Sequence, residues 1–164
     1  MIRFRMIRVC FVCLGNICRS PTAEAIFIKL VEDAGLSDQF VIDSAGTSGW
    51  HEGSRADSRS REAASRRGID ITSRSRQFLP TDFGRFDYVI AMDADNRANL
   101  EALASSDAER DKIHVMRQYN SPPAPHLEVP DPYYGGATGF EDVLDICEDA
   151  SRGLLRYLSD VHSL

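Results

Sequence analysis

The chain has 164 residues, of which 43% are hydrophobic and 27% are charged, as in an ordinary globular domain. This length predicts one domain over residues 1–164 with a sizeable core. Residues 1–6 are expected to be disordered or to form an N-terminal extension outside that core. The net charge of −6 argues against a nucleic-acid partner, which would require a basic face. There is no apolar run near the ~18 residues that span a bilayer and no signal-peptide core at the start, so we expect a cytoplasmic protein without membrane insertion.

The first 35 residues predict a strand, a loop and a helix. Residues 7–12 form a short β-branched apolar run, which is typical of a buried parallel strand. Ser20 and Pro21 then suit the N-cap and the first position of a helix. Apolar residues recur at helical spacing up to Gly35, which is suited to end the helix in a left-handed conformation. Residues 13–19 are therefore expected to form a loop between strand and helix.

Strands and helices alternate along the rest of the chain. Further strands are predicted at residues 40–44, 87–91 and 112–116, and further helices at residues 58–67, 93–103 and 140–162. Trp50 lies in a loop between glycines and is expected to be exposed, and the five prolines of residues 121–139 predict a long loop. The alternation predicts an α/β fold, a doubly wound three-layer sandwich with a four-stranded parallel sheet and helices on both faces. Ligands of such folds bind at the carboxyl ends of the strands, where residues 13–19 lie.

Residues 13–20 combine the groups that an anion site needs. A loop that enters a helix N-terminus directs backbone N–H groups into one concavity. The loop residues expected to line it are Leu14, Gly15, Asn16, Ile17 and Cys18. Gly15 and Asn16 most readily take tight or left-handed conformations, and Arg19 can hold two phosphate oxygens with its planar guanidinium. Cys13 lies in the same positive field, which favours the nucleophilic thiolate, and Ser20 can steady that thiolate with its hydroxyl group.

The four cysteines allow other interpretations. Cys10 and Cys13 have the spacing of a thioredoxin-like redox pair, but residues three apart in a strand face opposite sides. A zinc site built from Cys10, Cys13 and Cys18 lacks a nearby fourth ligand. No Gly-Lys-Ser/Thr follows the loop, which excludes the phosphate loop of nucleotide hydrolases. Cys10 and Cys147 are best explained as small core residues.

Several segments resemble one known family. Residues 13–21, Cys-Leu-Gly-Asn-Ile-Cys-Arg-Ser-Pro, resemble the active-site loop of the low-molecular-weight protein tyrosine phosphatases. The resemblance extends to residues 44–47, to the loop around Trp50, to residues 91–93 and to residues 131–134, in the same order along the chain. It implies hydrolysis of phosphotyrosine in a protein or peptide through a phosphocysteine intermediate, with no metal and no cofactor.

The resemblance also implies a task for each matching residue. Cys13 would attack phosphorus, Arg19 would hold the phosphoryl oxygens, and Asp131 would act as general acid and then as base. Ser20 would be the hydroxyl partner of the thiolate, and Asn16 would help to hold the loop's shape. The remaining matches are Ser44, which would support the loop, Cys18, which would form a reversible disulfide with the nucleophile, and the aromatic rim of Trp50, Tyr133 and Tyr134.

Other activities on the same fold stay open at this point. Bacterial phosphoarginine phosphatases resemble this loop but carry threonine at the position of Ile17, so isoleucine favours the tyrosine-directed branch. A thioredoxin-coupled arsenate reductase needs further cysteines, and none lies between Cys18 and Cys147. A non-enzymatic phosphotyrosine binder would have no need of an acid at Asp131. The basic run over residues 55–76 is either a solvated surface or an attraction for acidic substrate flanks.

The residues after Trp50 leave the peptide preference open, and the histidines give no further indication of function. The sequence His51-Glu-Gly departs from the family pattern after Trp50, and the four histidines show no convergent spacing, so none is assigned a task. We expect the protein to act as a monomer on a phosphotyrosine protein or peptide.

Overall fold

Four parallel strands form the centre of the molecule. The computed structural model describes residues 5–133, 135–136 and 138–164, and the strand order is β2-β1-β3-β4. The strands are β1 (Ile7–Cys13), β2 (Phe40–Gly46), β3 (Tyr88–Ala91) and β4 (Ile113–Val115). The helices are α1 (Arg19–Asp33), α2 (Ser58–Ser65), α3 (Ala94–Leu103), α4 (Asp107–Arg110) and α5 (Gly139–His162). The expected α/β fold with a four-stranded parallel sheet is confirmed.

The central strand β1 divides the core into two layers. Val9 and Phe11 point to one face of the sheet, where they pack with residues of α1 and α5. Cys10 and Val12 point to the opposite face, in a second cluster that includes Leu100 of α3. All four side chains are fully buried. A strand that is hydrogen-bonded on both edges and covered on both faces has to be apolar throughout, which explains the continuous apolar run.

The predicted signal for the end of α1 is confirmed, but its predicted start is wrong. Gly35 has a φ value of +71°, the left-handed conformation that was expected after α1, and Gly68 has a φ value of +73° after α2. The helix α1 begins at Arg19, one residue before the predicted cap, and Cys18 occupies the cap position without a side-chain hydrogen bond. Ser20 does not cap the helix because its hydroxyl group contacts side chains of the preceding loop instead.

The long loop predicted at residues 121–139 contains no helix or strand among its described residues before α5. The helix α4 and the short 3₁₀ turns at residues 37–39, 80–84 and 116–119 were not predicted, because so few residues show no periodicity. Of the predicted extension at residues 1–6, the first four lie outside the described residues, and Met6 is exposed. No helix in the described ranges combines the length and the apolar character that a bilayer crossing requires.

Gly153 tests the packing of α5 against the turn at residues 116–119. A Cβ atom at Gly153 would overlap the backbone carbonyl of Tyr119, which cannot move aside as a side chain can. We expect Gly153→Ala to lower the free energy of unfolding by at least about 1 kcal/mol, even though alanine favours helices more than glycine does. Gly84→Ala is the matched control, because the space around that position is open. Equal urea midpoints for the two variants would contradict the packing argument.

Candidate active site

The loop from Cys13 to Arg19 lies at the carboxyl end of β1 and leads into the N-terminus of α1. Asn16 has a φ of +54°, a left-handed conformation that asparagine tolerates better than most residues, and it allows the loop to curl. Gly15 does not have a positive φ value. It matters because it has no Cβ atom, which leaves room for a neighbouring side chain. A Cβ atom at Gly15 would lie 3.1 Å from the ring of His51. The curl therefore depends on Asn16, and the close approach of His51 depends on Gly15.

The sulfur of Cys13 has a hydroxyl group as its neighbour. The Sγ atom of Cys13 lies 3.0 Å from the Oγ atom of Ser20. The Nδ2 atom of Asn16 donates to the same Oγ atom at 2.7 Å, which leaves the hydroxyl proton of Ser20 available to the sulfur. The competing acceptor, the carbonyl oxygen of Ala45, is farther away at 3.4 Å. A hydrogen bond donated to sulfur stabilises its thiolate form.

A chain of buried polar side chains continues behind this contact. The Nδ2 atom of Asn16 also donates to the Oγ atom of Ser44 at 3.0 Å, and that hydroxyl donates to Glu24 at 2.6 Å. On its other side, the Oδ1 atom of Asn16 accepts the backbone N–H of Arg76 at 3.1 Å. The sequence resemblance placed Asn16 and Ser44 together, but Glu24 was missed. The one signal for it was a carboxylate within a largely apolar helix.

Arg19 is almost fully buried and is held by two hydrogen-bond acceptors and a further ion pair from distant parts of the chain. Its Nη1 atom donates to Asp93 at 2.6 Å and to the carbonyl oxygen of Val129 at 3.1 Å, and its Nη2 atom lies 3.5 Å from Asp131. Burial alone would lower the pKa of Arg19, but the nearby Cys13 and the two aspartates raise it overall. Arg19 therefore stays charged beside the cysteine.

Asp131 reaches the site from the long loop. Its side chain is 45% exposed and faces Arg19, and its Oδ1 atom accepts the backbone N–H of Tyr133 at 3.0 Å. The loop is fixed upstream by Val129, whose N–H donates to the carbonyl of Met92 at 2.8 Å, just after β3. Residues far apart in the sequence, Cys13, Arg19 and Asp131, are therefore brought to one place.

These residues open into one cavity of about 290 Å³. Its walls are formed by Cys13, Leu14, Gly15, Ile17, Cys18, Arg19, Trp50, His51, Asp131 and Tyr133. Trp50 is 82% exposed and stands on the rim, as its position between glycines predicted. Tyr134 lies outside the described residues. His51 is a wall residue that the sequence analysis left without a task, because a single histidine in a loop carries no pattern.

The other thiols differ from Cys13 in their surroundings. Burial, and then the charge of Asp57, raises the pKa of Cys18 to about 12. Burial likewise raises the pKa of Cys10, and it raises that of Cys147 to about 12. Cys10 packs in the core layer opposite the one that Cys13 joins, so the two do not form a redox pair of the thioredoxin type. All four thiols are free, and among the described residues no group of His, Cys, Asp or Glu is arranged to hold a metal ion.

Much of the basic run at residues 55–76 is engaged in contacts within the chain. Arg67 pairs with Glu141 at 2.6 Å and with Asp145 at 2.9 Å, which joins the end of α2 to α5. Arg76 pairs with Asp43 and Asp82. These contacts favour a structural explanation for the run over attraction of acidic substrate flanks.

Comparison with known proteins assigns this arrangement to a family. The family model described as "Low molecular weight phosphotyrosine protein phosphatase" matches residues 8–163. The chain belongs to this family. A low molecular weight protein-tyrosine-phosphatase of Streptomyces coelicolor is 49% identical over 149 residues, which cover 90% of this chain and 91% of the relative. The matched residues include every wall of the cavity.

More distant members of the phosphatase family share the same extent and fold. The human low molecular weight phosphotyrosine protein phosphatase is 40% identical over 148 residues, covering 90% of this chain and 92% of its own. A crystal structure of a protein tyrosine phosphatase from Entamoeba histolytica, with Hepes in its active site, has a TM-score of 0.90 and 43% identity. It covers 94% of this chain and 98% of that chain. The family resemblance stated from the sequence is confirmed.

Glu24→Gln tests the buried carboxyl group behind the phosphatase loop. Burial raises the pKa of Glu24 above its ordinary value of 4.5, although hydrogen bonds with Ser44 and Ser73 lower it in part. The unfolded chain therefore releases this proton at lower pH than the folded protein does. The stability that Glu24 contributes is full below pH 4.5 and is lost as the pH rises through the raised pKa.

We expect the free energy of unfolding of the parent, relative to Glu24→Gln, to fall as the pH rises across that window. Urea unfolding of both proteins between about pH 4 and pH 8 measures this difference and cancels the other titrating groups. A difference that stays flat or rises with pH would contradict the raised pKa.

Proposed function

We propose that this phosphatase hydrolyses protein phosphotyrosine in two steps. The Cys13 thiolate attacks phosphorus, a sulfur–phosphorus bond forms, and the bond to the tyrosine oxygen breaks while Asp131 donates a proton to the leaving phenolate. Asp131 then takes a proton from a water molecule that attacks the phosphocysteine, and phosphate leaves with the Cys13 thiolate regenerated. The observation that carries this proposal is the convergence of Cys13, Arg19 and Asp131 on one cavity.

Electrostatic stabilisation of the transferring phosphoryl group falls to Arg19 and the loop amides. Arg19 is held in place by Asp93 and Val129 before any substrate arrives, so its charge needs no reorganisation. The loop amides of residues 14–18 sit at the N-terminus of α1, where the helix dipole favours an anion. We assign the phosphate site to these groups.

The cavity walls support an aromatic leaving group. Leu14, Ile17, Trp50 and Tyr133 offer apolar and aromatic surface around the cysteine, which suits the ring of a tyrosine. We propose, from the sequence resemblance alone, that Tyr134 belongs to the same aromatic rim. Cys18 borders the same cavity, and we assign it the task of trapping an oxidised Cys13 as a reversible disulfide.

The same proposal includes a single domain, a monomeric state and a cytoplasmic location. Both core layers are built on one sheet, which supports a single catalytic domain. One copy of the chain brings Cys13, Arg19 and Asp131 to the same cavity, and we propose that the enzyme acts as a monomer. Free thiols around the nucleophile suit a reducing compartment such as the cytoplasm.

Cys13→Ser tests the nucleophile. We expect turnover of a phosphotyrosine peptide, with chelator present, to fall below about one per cent of the parent, because a serine hydroxyl is a far weaker nucleophile here than a thiolate. Binding of inorganic phosphate should persist, since the loop amides and Arg19 remain. Cys10→Ala is the control and should keep its activity. Retained turnover in Cys13→Ser would remove Cys13 from the proposed task.

Asp131→Ala tests the general acid. The variant should lose about 10²-fold in kcat/KM for a phosphotyrosine peptide, whose phenolate is a poor leaving group. The loss should be much smaller for 4-nitrophenyl phosphate, whose leaving group needs little help from a proton. Asp107→Ala, an exposed aspartate in α4, controls for the change in charge. Equal losses for both substrates would show that Asp131 is not the acid.

A further inference from the structure

Arg59, in the first turn of α2, lies between two aromatic rings. Its guanidinium carbon is 5.4 Å from the ring centre of Tyr133 and 4.7 Å from the ring centre of Phe140. Tyr133 belongs to the loop that carries Asp131, and Phe140 is a buried residue at the start of α5. A cation over an aromatic face is attracted to the ring's quadrupole, so Arg59 links α2, this loop and α5.

Asp57 fixes the other end of the Arg59 side chain. The carboxylate accepts the Nε atom of Arg59 at 3.0 Å and the Nη2 atom at 2.9 Å, a two-oxygen bridge. The same carboxylate accepts the backbone N–H of Arg59 at 2.9 Å and caps α2. The bonds from Nε and Nη2 fix the orientation of the guanidinium plane as well as pairing its charge. A lysine ammonium group could pair the charge but could not form this planar two-bond contact.

Asp57 is itself tied to the phosphate-binding loop. Its backbone N–H donates to the carbonyl oxygen of Ile17 at 2.8 Å. A continuous path therefore runs from Ile17 through Asp57 and Arg59 to Tyr133. Tyr133 in turn donates its backbone N–H to the Oδ1 atom of Asp131.

The path adds an anchor on the downstream side of Asp131. Upstream of Asp131, Val129 is held by Met92 and Arg19. Downstream, residues 132–139 contain one proline and three glycines, which do not hold a loop in place by themselves. A carboxyl group that transfers a proton has to stay within hydrogen-bond reach of the leaving oxygen, so a second anchor matters.

From these contacts we infer that Arg59 is a positioning residue for Asp131. By linking Tyr133 to α5 and, through Asp57, to Ile17, it sets the position of the general acid relative to the phosphate loop. Arg59 is not among the residues that line the cavity, and its charge is matched by Asp57, so it does not compete with Arg19 for Asp131. The inference rests on the proposed function, because it requires Asp131 to be the acid.

The test is the dependence of kcat/KM on leaving-group pKa in Arg59→Ala. A series of aryl phosphates from 4-nitrophenyl to phenyl phosphate reports how well the acid protonates the leaving oxygen. We expect kcat/KM to fall roughly 5- to 30-fold at the phenyl end and less than about 3-fold at the nitrophenyl end. The inhibition constant of inorganic phosphate should not change, because the phosphate loop is intact.

Arg66→Ala is the matched control, since Arg66 lies at the end of the same helix and pairs with Glu141 without touching the Asp131 loop. Arg66→Ala should show the same dependence of kcat/KM on leaving-group pKa as the parent. Arg59→Lys keeps the charge near the rings but not the two-oxygen bridge, and it should give an intermediate dependence. It also replaces the alanine variant if thermal unfolding shows that Arg59→Ala is not folded.

A double variant decides between positioning and general damage. If Arg59 acts through Asp131, Arg59→Ala should have no further effect on the leaving-group dependence in an Asp131→Ala background. An equal loss for all leaving groups, a parent-like dependence, or a full additional effect in the double variant would overturn the inference. If Asp131→Ala alone leaves the dependence unchanged, the proposed acid fails and this inference fails with it.

Discussion

The buried guanidinium of Arg19 is the constraint on which the rest of the site depends. A cation removed from water must be paired and hydrogen-bonded, because an unpaired buried charge is strongly destabilising. Arg19 meets this requirement with Asp93 after β3 and with Val129 and Asp131 from the long loop. The need to satisfy one side chain therefore draws two distant segments, the end of β3 and the long loop, to the carboxyl end of β1. The same contacts leave the guanidinium fixed and charged beside Cys13, as phosphoryl transfer requires.

The nucleophile is positioned from a different direction. Cys13 is linked through Ser20, Asn16 and Ser44 to the buried carboxyl group of Glu24. Ser20, Asn16 and Ser44 each have a partner on both sides, so none of the three can rotate without leaving a buried polar group unsatisfied. The left-handed backbone of Asn16 is maintained by the same bonds. The rigidity of the loop is thus a result of polar groups behind it as well as of its own backbone.

The arginine-rich segment after the loop has a structural explanation that composition does not suggest. Arg67 and Arg76 pair with carboxylates from other elements, and Arg59 is bridged by Asp57 beneath two aromatic rings. In a protein with net charge −6, such arginines add ion pairs between helices and loops to the contacts of the apolar core. The segment contributes to the site by holding its parts together, while Arg19 supplies the charge that faces the cysteine.

The sequence alone determined the order of strands and helices, the phosphate-binding loop and the family, because these depend on local periodicity and on one contiguous motif. Ile7 to Arg19 carries its own strand, turn and helix signals. Tertiary structure decided which distant groups complete the site. Glu24, His51 and Arg59 lack any local pattern, and each acquires its importance only when folding places it against Ser44, Gly15 or Tyr133. The predicted start of α1 was wrong for the same reason: Ser20 is a good cap in isolation, but its hydroxyl group contacts the Cys13 sulfur and the Asn16 amide, and Cys18 occupies the cap position.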